Sequence, residues 1–143
     1  MSLGMDTVVS EPTVRPGRRI DDDCVASLRA ALQRYLDLMY DCDLSHFDDV
    51  FASTVQLHGF RDGAMQCWPA AVYRDILAKR QSPKSLGAPR EDSLLLLDFA
   101  SSTQALTKVR VRIANMMFVD YLTWHRIKDK WLITSKGFHL EAA

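Results

Sequence analysis

Asp120 and His58 are the residues of this chain whose type and setting best suit proton chemistry. In the run Phe118-Val-Asp-Tyr-Leu-Thr-Trp124, strand alternation puts Phe118, Asp120, Leu122 and Trp124 on one face and Val119, Tyr121, Thr123 and His125 on the other. The first face is the more apolar and is assigned to the interior. Desolvation there favours a protonated carboxyl, which makes Asp120 a candidate general acid or base. The competing reading is a structural carboxylate bonded to backbone or to Lys136. His58 ends an apolar run and precedes Gly59, a setting from which an imidazole can exchange protons near neutral pH; a half-exposed histidine without a role has the same sequence.

Trp68 and Tyr73 flank the start of a helix and could form an aromatic lid over a planar ligand, or simply pack in the core. His46, His125 and His139 stand at no metal-ligand spacing and there is no HExxH run, so neither metal nor cofactor is expected. Cys24, Cys42 and Cys67 are odd in number and form no CxxC pair, which argues against a disulfide framework and for buried thiols.

The elements that must hold these groups follow from periodicity. Asp21 to Asp23 supply capping carboxylates to a helix whose apolar face is Val25, Leu28, Leu32, Leu36 and Met39. Asp43 caps a second, short helix with Leu44, Phe47, Val50 and Phe51 as its apolar edge. Thr54 to Phe60 reads as a strand closed by the Asp62-Gly63 turn, and Pro69 opens a third helix. Gln81 to Arg90 is a loop. Beyond Asp92 the period becomes two, giving four antiparallel strands: Leu94 to Phe99, Ala105 to Ile113, Met117 to Ile127 and Lys130 to His139. Helices first and a strand meander last make the class α+β.

The chain has 143 residues, 48% of them apolar, enough for one domain with its own core. Its 18 basic and 18 acidic residues cancel, so no sustained field draws it to nucleic acid or to an anionic membrane. No stretch approaches the ~20 apolar residues that span a bilayer, and a cytoplasmic location is expected. Residues 1–20 lack a periodic face and are expected to form a flexible arm ahead of the domain at 21–143; Met1 to Gly4 reads as a leader before a natural start at Met5. No glycine loop of the phosphate-cradling kind is present.

The runs Ala105-Leu-Thr-Lys-Val-Arg-Val-Arg-Ile113, Phe118-Val-Asp-Tyr-Leu-Thr-Trp124 and Lys128-Asp-Lys-Trp-Leu-Ile-Thr-Ser-Lys136, with the upstream helices in matching order, resemble the nuclear transport factor 2-like (cystatin-like) superfamily, and within it the group called putative lumazine-binding. The resemblance implies a strongly curved antiparallel sheet around three helices, enclosing a cone-shaped apolar cavity. In such a cone His58 would sit at the mouth, and Trp68, Tyr73, Phe118, Leu122, Trp124 and Lys136 would contact a small hydrophobic or planar ligand. Fold alone assigns no function. Three classes remain: a small-molecule binding protein; an isomerase, dehydratase or polyketide cyclase using Asp120 and His58; or a dimeric interaction module. A homodimer through the face carrying Val119, Tyr121, Ile127, Arg110 and Arg112 is expected in each.

Overall fold

The computed structural model describes residues 20–142, so the expected arm at 1–20 lies outside the described residues except for Ile20. Helix α1 spans Asp22–Asp41. Asp21 caps it by accepting from the Cys24 backbone N–H at 2.9 Å, and Asp22 and Asp23 add negative charge at the positive end of its dipole. Cys42 ends it in the left-handed region at φ 52°, its N–H bonded to the Leu38 carbonyl. The stripe Leu28, Leu32, Tyr35, Leu36 and Met39 is buried against the sheet, each large side chain contributing about 2 kcal/mol of transfer free energy.

A 3₁₀ turn at Leu44–His46, capped by Asp43, leads into the short helix α2, Phe47–Val50. Strand β1, Phe51–Arg61, follows at once, then β2, Ala64–Pro69, and helix α3, Ala70–Lys79. The four long strands are β3, Asp92–Ser101, β4, Gln104–Ile113, β5, Met116–Ile127, and β6, Lys130–Ala142. All six make one curved sheet in the order β2-β1-β6-β5-β4-β3. The expected meander is therefore present but extended by two strands, and the sheet is not purely antiparallel because β1 runs parallel to β6. Strand β2 escapes a reading by alternation: of its residues only Gln66 and Trp68 are even partly covered, so no apolar rhythm announces it.

Each hairpin closes through two residues. Asp62 and Gly63 both have positive φ, at 53° and 79°, which matches the right-handed twist of the flanking strands. Lys128 and Asp129 adopt the same sign of φ, 50° and 64°, without a glycine. Bulges at Leu94/Leu96, Phe99/Ser101, Met117/Phe118 and Thr123/Trp124 bend the sheet around the helices.

The interior assignment of β5 holds for Phe118, Asp120, Leu122 and Trp124, which are buried; on the other face Tyr121 is 46% exposed, but Val119, expected on that open face, is buried too. Trp124 donates to the Thr107 hydroxyl at 2.9 Å, satisfying its indole N–H inside the core. Outside, Arg110 pairs with Glu141 and Arg112 with Glu91. The cysteines depart from expectation: Cys24 is buried, Cys42 half-buried and Cys67 exposed. Cys67 points outward because it lies on the unrecognised strand β2, one residue out of phase with Trp68. Among the described residues no helix is long and apolar enough to cross a membrane.

Candidate functional site

A cleft opens between the inner face of the sheet, the far end of the β1–β2 hairpin and helix α3. It encloses about 350 Å³ counting its open mouth, of which about 30 Å³ can take the centre of a water molecule. Trp68 from β2, Tyr73 from α3, Phe118 and Asp120 from β5 and Lys136 and Phe138 from β6 line it. Trp68 stacks between two rings, its centroid 5.1 Å from that of Phe138 and 6.2 Å from that of Tyr73, with interplanar angles of 14° and 11°. Gly59 makes this wall possible. It sits opposite Phe138 across the β1–β6 pair, and a Cβ there would lie 2.5 Å from both the Phe138 ring and its carbonyl oxygen.

The floor is polar and buried. Lys136 is only 5% exposed and Asp120 2%. A bulge puts Lys136 there. Trp124 pairs with Ile133 and Thr123 with Ser135, leaving Thr134 unmatched, so the alternation of β6 slips by one and turns Lys136 inward. Its Nζ donates to the Tyr73 hydroxyl at 3.2 Å, lies 3.8 Å from Asp120 Oδ2, and stands 5.1 and 5.0 Å from the ring centroids of Tyr35 and Tyr73. The Tyr35 hydroxyl donates to the same Oδ2 at 2.5 Å. Burial, reinforced by the Asp120 charge, pushes the Tyr35 phenol well above its ordinary pKa. No protein donor among the described residues reaches Asp120 Oδ1, although that atom is buried and Asp120 lines the cleft.

The structure thus brings together five of the residues singled out in the sequence: Trp68, Tyr73, Phe118, Asp120 and Lys136. Leu122 and Trp124 share their face but lie in the core behind the cleft. His58 is not part of the group. Alternation along β1 buries Leu57 and Gly59 and leaves His58 exposed on the outer face, where its Nε2 lies 3.3 Å from Cys67 Sγ. An imidazole there cannot share a cleft-bound atom with Asp120. Of the two partners expected for a structural Asp120, Lys136 is there and, among the described residues, a backbone donor is not; the hydroxyl of Tyr35 takes its place.

Sequence reasoning passed over Tyr35, Arg61, Arg80 and Phe138. Tyr35 carried a signal: a hydroxyl on the otherwise apolar stripe of α1 must find a partner when buried. Arg80 follows α3 and lies beside Cys42, whose thiol burial pushes up and the Arg80 charge draws back down. Among the described residues no cluster of three or more His, Cys, Asp or Glu side chains is arranged to hold a metal ion.

A family model described as putative lumazine-binding matches residues 23–139, nearly the whole described chain. No curated protein matches. Among solved structures, an NTF-2 like protein of unknown function from Silicibacter pomeroyi superposes with a TM-score of 0.75 at 18% identity, covering 83% of this chain and 97% of its own. A cystatin-like fold protein from Burkholderia xenovorans gives 0.65 at 18% identity, covering 89% and 99%. A ketosteroid isomerase-like protein from Erwinia carotovora atroseptica gives 0.67 at 8% identity, covering 86% and 100%. At these identities the likeness is one of fold.

Proposed function

Because this chain belongs to the putative lumazine-binding family, we propose that it binds a small planar organic molecule in the cleft between the Trp68 wall and the Asp120–Lys136 floor. The observation that carries this reading is Asp120 Oδ1, a buried acceptor without a protein donor on a residue that lines an aromatic cleft. Leaving such an atom unpaired costs about 1 to 3 kcal/mol, a cost that a ligand N–H or O–H offsets on binding. The aromatic wall supplies the rest. Trp68 is held parallel to Phe138 and Tyr73 and is only partly covered, so it offers a flat ring edge at the mouth. The open space inside is small, so entry of a ring requires Trp68 and its hairpin to move outward.

Binding is favoured over catalysis because His58, the second proton-handling group expected from the sequence, faces away. A proton-transfer enzyme is the second reading, supported by the short Tyr35–Asp120 hydrogen bond, which sets a hydroxyl and a carboxylate side by side at the buried floor. Titration with lumazine, followed by tryptophan fluorescence, tests the binding reading. Saturable quenching that disappears in Trp68→Phe is expected, since Trp124 and Trp131 are buried away from the cleft. Absence of saturation, or quenching that persists unchanged in Trp68→Phe, would remove the cleft as the site.

A homodimer remains our reading of the outer sheet face. Tyr121, 46% exposed, and Ile127, 40% exposed, lie there with the paired arginines, a mixed surface that a second copy could cover about a twofold axis.

A further inference from the structure

The charges around the cleft are out of balance, and the imbalance specifies the ligand. Arg61, Arg80 and Lys136 line it against a single carboxylate, Asp120. Lys136 is matched to that carboxylate at 3.8 Å. Arg61 and Arg80 are not matched: among the described residues neither has a carboxylate within ion-pair distance, whereas Arg74, Lys79, Arg90, Arg110, Arg112 and Lys130 do. Arg61 instead lies over the Phe118 ring, 5.9 Å from its centroid, which holds its guanidinium against the cleft wall. Two half-covered guanidinium groups at the rim of an aromatic cleft make a site for an anion, because each presents planar, paired donors to an oxyacid.

We infer that the ligand is a planar aromatic or heteroaromatic acid that also carries an N–H or O–H donor, its acid group held by Arg61 or Arg80 and its donor given to Asp120 Oδ1. This rests on the cleft being the binding site and deepens it by fixing both ends of the ligand. The polarity is set by the floor. An acid group directed at Asp120 would meet a like charge, while a donor directed there fills the unpaired Oδ1. The ring between the two ends lies along Trp68 and Phe138.

Three probes of one shape separate the two halves of the inference on the unmodified protein: 4-hydroxybenzoate, its methyl ester, which lacks the charge, and benzoate, which lacks the donor. Binding is read from Trp68-dependent quenching. The acid should bind at least tenfold more tightly than the ester and than benzoate, since each control loses one hydrogen bond to a charged group. The preference for acid over ester should shrink in Arg61→Gln or Arg80→Gln and at high salt. If ester and acid bind equally well and both require Trp68, the cleft stands as the site and the anion inference is overturned. If benzoate equals 4-hydroxybenzoate, the assignment of Oδ1 to a ligand donor is overturned. If none of the three gives Trp68-dependent quenching, the inference falls, and the lumazine titration decides separately whether the cleft falls with it.

Discussion

Tyr35 on helix α1 donates its hydroxyl to Asp120 on strand β5 at 2.5 Å, joining residues 85 positions apart in the chain with one buried hydrogen bond. It ties the helix to the middle of the sheet and uses one carboxylate oxygen internally, while the other, Oδ1, is buried without a protein donor on a residue that lines the cleft.

Removing that hydroxyl should be felt in stability and in pH dependence. Tyr35→Phe should lower the unfolding free energy by about 2 kcal/mol, the usual size for a hydrogen bond to a charged group. Because the folded-state pKa of Tyr35 is raised, its contribution is fully present below about pH 10 and is lost as pH rises towards the folded value, with the unfolded chain ionising first. The parent should therefore lose stability above pH 10 more steeply than Tyr35→Phe in denaturant titrations. Equal slopes would show that Tyr35 ionises freely in the folded protein.

Lys136 and Asp120 should behave as a unit. Lys136→Met leaves a buried carboxylate without its cation and should cost about 3 kcal/mol or more, whereas adding Asp120→Asn should recover much of the loss. Additive losses in the double-mutant cycle would mean that the 3.8 Å separation carries no coupling.

Gly59→Ala should damage the aromatic wall of the cleft. The added Cβ meets the Phe138 ring and its backbone oxygen at 2.5 Å, so both must shift. A destabilisation of about 1 to 3 kcal/mol is expected, with altered Trp68 emission as its stacked neighbour moves. An unchanged spectrum would show that the wall does not depend on Gly59.

How far the sequence foretold this arrangement differs from residue to residue. The stripe of α1 and the alternation of β4 and β5 were legible because one face of each is buried, and burial is what periodicity records. Lys136 is expected beside Asp120 and the ligand, but not through periodicity. Counting in twos from Ile133 sends it outward, and the bulge at Thr134 that reverses it leaves no mark in composition. His58 failed in the opposite sense: its strand was recognised, but its glycine neighbour serves the close approach of Phe138 rather than a catalytic mouth. Arg61 and Arg80 lie near a turn and a helix end, where sequence shows a charge but not what it faces.

The β5–β6 turn offers a gain. Lys128 and Asp129 both hold positive φ, a conformation that costs a non-glycine residue about 1 kcal/mol. Asp129→Gly should raise the thermal midpoint by about 3 °C with the fold unchanged. A lower midpoint would show that the greater freedom of glycine in the unfolded chain outweighs the relief.

The outer face is tested by charge. Tyr121→Glu should shift sedimentation towards a monomer while leaving the circular dichroism spectrum intact. A parent protein that is monomeric at micromolar concentration would remove the dimer.

The central claim is that the cleft between Trp68 and the Asp120–Lys136 floor is where this protein holds its ligand. A crystal structure with 4-hydroxybenzoate bound tests it most directly. We expect the ring against Trp68, a hydroxyl within hydrogen-bond distance of Asp120 Oδ1, and the acid group on Arg61 or Arg80. The same probe found instead on the outer sheet face, or in the surface groove bordered by Arg34, Asp37 and His46, with Asp120 Oδ1 still unpaired, would contradict it.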